Sequence, residues 1–282
     1  MQKEPAQDYE TQIASWRNKL DDQLRREDGW LTLIGLHWLQ DGMNTVGSDP
    51  SSTVVLPKNS APKQVGTIEL RDGKAILTVT CEEPVTVDGV EVKTAELRHD
   101  NAEGGPSVIA LRSLSFFLIK REAHYGIRVR DRNNSARTTF QGRKWFPVKP
   151  QYRIKAKFIR YETMRTLTVM NTVGLLVPMD NPGYVEFELD GQKLRLEAFA
   201  DEEKSLWLIF KDLSNGKTTY DAGRFLVAPI NEDGTVDLDF NRIYNPPCAF
   251  TVFATCPLPP KENILAVALE SGEQLYKSHR TM

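Results

Sequence analysis

The chain has few of the residues from which metal sites and disulfide frameworks are built, with three cysteines and four histidines among 282 residues. A sparse and odd cysteine count does not describe a disulfide framework. No two histidines share a spacing that would direct both at one metal ion. We therefore expect no metal and no cofactor. The sequence also lacks an apolar run of roughly 18 to 20 residues, so no membrane span is expected.

Short catalytic signatures are absent as well. The sequence has no G-x-S-x-G elbow, no G-x-x-x-x-G-K-[ST] loop, no G-x-G-x-x-G and no H-E-x-x-H. These absences remove many familiar enzyme classes and leave open whether the protein is an enzyme. The first ten residues, MQKEPAQDYE, lack the basic and apolar blocks of a secretory leader. This start favours a cytoplasmic location.

Charge is balanced overall but unevenly placed along the chain. There are 36 basic and 38 acidic side chains, yet residues 120–157 hold twelve Lys or Arg and two acidic residues. This stretch predicts a basic face, with Arg128, Arg130 and Arg137 as candidate anion-binding residues. Aromatic residues interleave it, as they do in single-stranded nucleic-acid sites. The overall net charge of −2 argues against nucleic acid as the partner.

Hydrophobic periodicity predicts a mainly β protein that begins with a helix. Apolar residues from Tyr9 to Arg26 recur every three or four positions, which indicates an amphipathic helix within residues 1–28. From residue 29 to residue 135, short β-branched runs separated by turns indicate a β-sandwich, with candidate strands that include Lys74 to Val79 and Val108 to Leu111. A second β-rich half over residues 136–282 is expected to pack tightly with the first.

Tight turns and alternation define individual strands. Asp72-Gly73, Asp88-Gly89 and Asp190-Gly191 predict hairpins, because glycine supplies the positive φ angle that a tight turn needs. Between Tyr125 and Arg130 apolar residues alternate with arginines, which predicts one buried face and one face of guanidinium groups. A further strand is predicted from Thr218 to Val227.

The most specific residues lie near the C-terminus. They read Gly223-Arg224-Phe225-Leu226, Asp237-Leu238-Asp239-Phe240-Asn241, Asn245-Pro246-Pro247-Cys248 and Cys256-Pro257-Leu258-Pro259-Pro260. Together with Gly29-Trp30-Leu31 and the segment Gly42 to Gly47, these motifs resemble an uncharacterised family, domain of unknown function 1684 (DUF1684), over nearly the whole chain. The resemblance implies a β-rich fold and no known activity. It supplies no catalytic residues.

A second resemblance covers Met43 to Asp131, where Asn44 to Asp49 and Val87-Asp88-Gly89-Val90 resemble the forkhead-associated (FHA) β-sandwich. That family binds phosphopeptides through an arginine, a Ser-x-x-His pair and an asparagine. This chain has Ser48, Ser60-Ala61-Pro62-Lys63 and Asp88 at those places. The resemblance therefore implies the sandwich fold, and it does not imply phosphothreonine binding, because fold alone does not carry function.

Alternation would place Asp237, Asp239 and Asn241 on one face of a strand, as a site for a hard cation or for a ligand rich in hydroxyl groups would require. The alternative is that Asp239 and Asn241 bond to the backbone of the turn at Asn245-Pro246-Pro247. The structural role is the favoured interpretation, because Asp and Asn beside turns commonly bond to the backbone.

Two further pairs have open interpretations. If the chain were extended, Cys248 and Cys256 would be about 26 Å apart, so both are interpreted as buried small hydrophobes; a nucleophilic Cys248 is the alternative. Arg224 and Glu197 lie within apolar strands. They either face solvent, which alternation slightly favours, or lie inside and must pair or bind something.

Two functions follow as hypotheses. The first is a small-ligand-binding or hydrolase-like site around Asp239, Asn241 and Asn245, to which Cys248, Arg224 and Glu197 could contribute. The second is a non-catalytic interaction module whose basic face binds an anionic partner. The first is favoured narrowly, because its residues coincide with the most specific motifs.

Overall fold

The computed structural model describes residues 6–201 and 204–276. Contacts between Cα atoms divide the chain into two compact units, one of residues 23–140 and the other of residues 1–22 with 141–282. We name them the sandwich unit and the barrel unit. The protein is mainly β, as the sequence predicts. The predicted division at residues 28 and 135 into separate domains stays a prediction.

The described chain begins with helix α1 (Ala6–Arg25), close to the helix predicted from Tyr9 to Arg26. Tyr9 and Ile13, on its predicted apolar stripe, are buried, Ile13 completely. Across residues 6–201 and 204–276, no helix combines the length and the apolar character that a membrane crossing demands.

The sandwich unit contains eleven described strands and a short helix. They are β1 (Leu33–Trp38), β2 (Gly42–Gly47), β3 (Val54–Val55), β4 (Gly66–Arg71), β5 (Lys74–Val79), β6 (Thr86–Val87), β7 (Val90–Glu91), β8 (Thr94–Leu97), β9 (Val108–Leu111), β10 (Leu114–Arg121), β11 (His124–Asp131) and α2 (Ser135–Thr139). Their sheets have the orders β1-β11-β10-β9-β6-β7 and β3-β2-β4-β5-β8. Side chains of both sheets, such as Ile68 and Phe116, share one hydrophobic cluster, which makes the unit a β-sandwich.

The turn signals in this unit are confirmed. Asp72 and Gly73 have φ angles of 51° and 76°, and Asp88 and Gly89 have 52° and 84°, as a type I′ turn requires. The predicted strand Lys74–Val79 is β5 at the same bounds, with every second residue buried. Alternation of apolar and polar residues is the sequence pattern that indicates a strand with one face in the core.

The barrel unit contains six described strands: β12 (Arg153–Met170), β13 (Leu176–Leu189), β14 (Gln192–Ala200), β15 (Ser205–Phe210), β16 (Arg224–Pro229) and β17 (Thr235–Asp239). The order is β16-β15-β14-β13-β12-β17. A bridge between Ile230 and Val236 brings the two ends of this order together. The sheet therefore curls into a nearly closed barrel, and its core includes Leu208, Leu238 and Phe240.

Two parts of the barrel unit differ from the sequence prediction. The 18-residue strand β12 was not predicted. Most of its residues are at least partly exposed, and charged residues occur on both faces, so apolar and polar residues do not alternate regularly. The strand predicted from Thr218 begins only at Arg224. The preceding residues form a loop, in which the Asn215 side chain accepts a hydrogen bond from the Asp212 N–H at 2.6 Å and donates one to the Tyr220 carbonyl.

The last described segment, residues 264–275, forms no strand but is hydrogen-bonded along its length; we name it the C-terminal strap. The Leu265 N–H donates to the Lys211 carbonyl at 2.8 Å, and the Glu273 N–H donates to the Ile243 carbonyl at 2.9 Å. Gly272, with a φ of +72°, makes this second contact possible, because a Cβ atom there would lie 2.4 Å from the Ile243 oxygen.

Replacing Gly272 with alanine tests how firmly the strap is held. We expect Gly272→Ala to lower the free energy of unfolding by at least about 2 kcal/mol more than Gly234→Ala, because only the first adds a steric clash to the backbone strain. Gly234 is the matched control, since it has a φ of +76° and no atom within 4 Å of a built Cβ. Urea unfolding measures both; equal losses would mean that the strap yields at Ile243.

Candidate functional site

Asp239 and Asn241 hold helix α1 against the barrel sheet. Asp239 Oδ1 accepts hydrogen bonds from the Tyr9 hydroxyl at 2.8 Å and from the Asn241 N–H at 3.1 Å. The Asn241 side chain exchanges two hydrogen bonds with the backbone of Lys149, at 2.8 and 2.9 Å. Burial, together with the Asp239 carboxylate, raises the pKa of Tyr9, so the hydroxyl stays a donor. Both predicted residues thus have structural partners.

The expected row of Asp237, Asp239 and Asn241 on one strand face is wrong for Asn241. Strand β17 ends at Asp239, whose side chain caps a 3-10 turn at Phe240–Arg242, so Asn241 lies in that turn. Asp237 lies on the strand, half-buried, and accepts a hydrogen bond from Asn231 Nδ2 at 3.2 Å. The structural alternative is right that Asp239 and Asn241 bind backbone groups, but their partners are the Asn241 N–H and the backbone of Lys149, and not the turn at Asn245-Pro246-Pro247.

A cleft of about 160 Å³ opens beside Asp239. Two guanidinium groups, of Arg153 and Arg242, and two carboxylates, of Asp237 and Asp239, line it, and Tyr9 and Gln12 of α1 form the opposite wall. Arg242 Nε lies 3.3 Å from Asp239 Oδ2. It is buried and makes no hydrogen bond within the described part of the chain. The cleft therefore presents both charges, and one buried N–H donor still lacks a hydrogen-bond acceptor.

A second cleft, of about 260 Å³, lies along another side of α1, where Arg17, Arg143 and Trp145 contribute to its lining. Both of its cations are already engaged. Arg17 donates to the carbonyls of Phe146 and Asn241, at 3.3 and 3.5 Å, and lies over the Trp145 ring. Arg143 pairs with Asp21 at 3.4 Å and with Glu273 at 2.8 Å.

Arg224 lies inside the barrel unit and is fully buried. It pairs with Asp212 at 2.8 Å, and its two terminal nitrogens also donate to the carbonyls of Leu269 and Ser271, at 2.7 and 2.6 Å, whereas Nε makes no hydrogen bond among the described residues. Burial lowers its pKa, and Asp212 opposes that effect. The expectation of a solvent-facing Arg224 is wrong, because the C-terminal strap covers this strand end. Arg224 thus fixes the strap.

Glu197 is also inside, with 5% of its surface exposed, so the expectation of a solvent-facing side chain is wrong here too. Its carboxylate accepts a hydrogen bond from the Tyr161 hydroxyl at 2.8 Å and another from Arg195 at 3.2 Å. The Asn263 side chain bonds to its backbone, with distances of 2.7 and 2.9 Å. Neither described cleft is lined by Glu197.

Asn245 is hydrogen-bonded to Glu273, a buried acid that the sequence did not indicate. Its N–H donates to Glu273 Oε2 at 2.8 Å, and its side chain donates to the Gln274 carbonyl at 2.9 Å. Glu273 has no exposed surface. Its Oε1 has no hydrogen-bond partner among the described residues. Burial raises the pKa of Glu273 to about 7, against the opposing effects of Arg143 and of the Asn245 N–H.

Cys248 and Cys256 meet in the structure, which corrects the argument from an extended chain. The Cys248 N–H donates to Cys256 Sγ at 3.4 Å. A hydrogen bond from the Cys256 thiol, with a further one from the Tyr220 hydroxyl, lowers the pKa of Cys248. Burial and the neighbouring Cys248 raise the pKa of Tyr220. We name these three residues the thiol cluster.

The chain reverses between the cysteines because a 3-10 turn occupies Pro247–Ala249. The Phe250 N–H donates to the Pro247 carbonyl at 2.9 Å. On the far side, the Thr172 N–H donates to the Cys256 carbonyl at 2.9 Å and anchors the returning chain. The signal was the Pro246-Pro247 pair, since proline at the first position of a helical turn sets φ in advance.

The arginines proposed as a basic face have partners within the sandwich unit, and of the three only Arg128 is buried. Arg128 has 4% of its surface exposed and lies over the Trp30 ring at 5.2 Å. Arg130 lies over the Phe117 ring at 4.6 Å, and burial lowers its pKa. Arg137 donates to the Arg25 carbonyl at 2.5 Å and to the Arg132 carbonyl at 3.0 Å. The guanidinium face of β11 is therefore covered.

The loop residues compared with FHA domains also have local partners. Ser48 donates to the Ala61 carbonyl at 2.9 Å. Asp88 accepts from the Val108 N–H at 2.9 Å and pairs with Arg98 at 3.0 Å. Within the described residues, no group of three His, Cys, Asp or Glu side chains is arranged to hold a metal ion.

The fold and the site define a class of β protein in which a β-sandwich unit accompanies a nearly closed six-stranded sheet that carries a polar cleft and a thiol cluster. A family model described as a protein of unknown function (DUF1684) matches residues 138–274. The chain belongs to the DUF1684 family. The matched segment contains both cysteines of the thiol cluster and both arginines of the cleft beside Asp239.

Solved structures give further similarities. The solution NMR structure of an uncharacterized protein from gene locus rrnAC0354 of Haloarcula marismortui is 34% identical, with coverage of 50% of this chain and 80% of that chain and a TM-score of 0.42. The FhaA FHA domain, solved in complex with the intracellular domain of Rv3910, is 20% identical, with coverage of 34% and 97% and a TM-score of 0.24. No curated protein matches the chain.

The raised pKa of Glu273 predicts a specific pH dependence of stability. Its folded-state pKa of about 7 lies above the ordinary 4.5, so the folded protein binds this proton more tightly. The stabilisation is present below pH 4.5 and is lost as pH rises through about 7, a decrease of up to about 3 kcal/mol in the free energy of unfolding.

Chemical denaturation at a series of pH values between these limits measures this effect. Glu273→Gln removes the titrating group but keeps an oxygen for Arg143 and the Asn245 N–H, so its stability should vary less over this range. Identical pH profiles of the wild type and Glu273→Gln would contradict the assignment.

Proposed function

We propose that the protein binds a small zwitterionic molecule, of the type of a free amino acid, in the cleft beside Asp239. The observation that carries the proposal is that two guanidinium groups and two carboxylates line one cleft of about 160 Å³. This volume is below the usual range for drug-sized ligands, which favours a molecule of few atoms. A zwitterion matches both the cationic and the anionic side chains of this wall, whereas a ligand with one charge matches only one kind.

The arginines supply the anion-binding half of the cleft. Arg242 is held between Asp239 and the ring of Trp16, whose centroid is 5.8 Å from its guanidinium carbon, and its Nε makes no hydrogen bond among the described residues. Arg153 lies over the Tyr9 ring at 5.4 Å. A guanidinium fork matches the geometry of a carboxylate. The ligand carboxylate would therefore bind at these two side chains.

The carboxylates supply the cation-binding half. Asp239 Oδ1 is occupied by the Tyr9 hydroxyl and by Asn241. An ammonium group would therefore bind at Asp237 and at Asp239 Oδ2, which have Asn231 and Arg242 respectively as partners and each have capacity for a further donor. The proposed activity is binding and not hydrolysis, because no serine, cysteine or histidine lines this cleft and its carboxylates already accept hydrogen bonds from Asn231, Tyr9 and Asn241.

Calorimetric titration of the full chain with glycine, alanine and serine tests the proposal. We expect these molecules to bind more tightly than acetate or methylamine, which carry one charge each. Arg242→Gln and Asp237→Asn should each weaken binding about tenfold or more, because each removes a charge-assisted hydrogen bond.

Asp233→Asn is the control, because Asp233 is an exposed carboxylate that pairs with Lys155 at 2.9 Å and does not line the cleft. This variant should bind like the wild type. Equal binding of acetate and glycine, or no binding of any amino acid, would overturn the proposal. Asp239 is not a suitable test residue, since its removal would also release Tyr9.

A further inference from the structure

The thiol cluster provides chemistry that the cleft lacks. Two cysteines that are eight positions apart lie side by side, with the Cys248 N–H donating to Cys256 Sγ at 3.4 Å. Since the N–Cα bond adds about 1.5 Å, Cys256 Sγ lies within about 5 Å of the Cys248 Cα. A Cys256 sulfur this near the Cys248 backbone brings the two residues into contact, which is the first requirement for a disulfide. The second requirement is that the two Cα atoms lie about 4.4 to 6.8 Å apart, and oxidation with glutathione disulfide tests it.

The surroundings distinguish the two sulfurs. Cys248 is partly exposed, whereas Cys256 is buried with 7% of its surface exposed. A reagent from solvent therefore reaches Cys248 first. Cys256 is placed behind it, where a second thiol can attack a disulfide formed on the first.

Hydrogen bonds stabilise the thiolate of Cys248. The Cys256 thiol and the Tyr220 hydroxyl both donate to its sulfur, and these donors lower its pKa against the effects of burial and of the Asp221 charge. The thiolate is the nucleophilic form of cysteine. Tyr220 is thus a positioning residue, held by the loop of residues 211–223 in which the Asn215 side chain donates to its carbonyl.

We propose that Cys248 and Cys256 form a redox-active dithiol that reduces small disulfides, with Cys248 as the attacking thiol and Cys256 as the resolving thiol. This activity is independent of ligand binding beside Asp239. The oxidant is a low-molecular-weight disulfide such as glutathione disulfide.

The electrons and atoms balance in two exchanges. The Cys248 thiolate bonds to one sulfur of glutathione disulfide, and the other glutathione leaves as a thiolate that takes up a proton. Cys256 then gives up its proton and bonds to the Cys248 sulfur, which releases the second glutathione. Two electrons pass from the protein dithiol to the small disulfide, and an intramolecular disulfide remains.

Mass spectrometry of the full chain treated with glutathione disulfide tests the pairing. Both cysteines lie in one tryptic peptide, residues 243–261, so an internal disulfide lowers the mass of that peptide by about 2 Da. We expect this loss in the wild type and in Cys81→Ser. Cys81, which is half-exposed in the sandwich unit, is the internal reference for a thiol without this arrangement.

Variants separate the two roles. Cys256→Ser should accumulate a glutathione adduct on Cys248, because the resolving thiol is missing. Cys248→Ser should leave Cys256 unmodified, because Cys256 is buried. In the wild-type protein, two separate glutathione adducts on the tryptic peptide, or modification of Cys81 alone, would overturn the proposal. This measurement uses no variant, so it does not depend on the folding of one.

The pH profile of alkylation tests Tyr220. The midpoint for iodoacetamide modification of Cys248 should lie below the ordinary thiol pKa of 9.0, and Tyr220→Phe should shift it upward. A purely structural role for Tyr220 predicts no shift, and that result would overturn its assignment as a donor to the thiolate.

Discussion

The buried ion pair between Arg224 and Asp212 is the interaction on which the rest of the barrel unit depends. Two charges with no exposed side-chain surface are costly unless every donor and acceptor is satisfied. Here the strap supplies acceptors for both terminal nitrogens of Arg224 through the carbonyls of Leu269 and Ser271, and the Leu269 N–H returns a hydrogen bond to Asp212 at 3.1 Å. Arg224 Nε makes no hydrogen bond among the described residues. The ion pair therefore depends on the strap for most of its hydrogen bonds.

The C-terminal strap also connects the Arg224–Asp212 pair to helix α1. Glu273, four residues after Leu269, is placed against Arg143, and Arg143 in turn pairs with Asp21 of α1. At the other end of the helix segment, Tyr9 is bound by Asp239 and Asn241. Arg224, Asp239 and Asn241 of the C-terminal motifs thus make structural contacts. The proposed ligand site adds neighbouring groups, chiefly those of Arg153 and Arg242.

Sequence patterns predicted the elements that have one buried and one exposed face. Strands β5 and β9 were found at their true bounds because their alternation is regular, and the Asp-Gly turns were found because their φ angles demand those residues. Strand β12 was missed, since its charged side chains lie on both faces. The residues of the cleft were only partly predicted: Asp237 and Asp239 lie on β17, but Arg153 comes from β12, which is distant in sequence and pairs with β17 in the sheet.

The thiol cluster shows why spacing alone misleads in irregular chain. An extended path between Cys248 and Cys256 was a fair assumption for a β protein, but from Phe240 to Cys256 the chain follows two 3-10 turns and no long strand. Prolines and hydrogen bonds from side chains set its course, so it is irregular and still well defined. Such segments, supported by a rigid sheet, are where proteins commonly place functional groups. The arrangement of Tyr220, Cys248 and Cys256 therefore depends on contacts between three loops, which no local sequence pattern encodes.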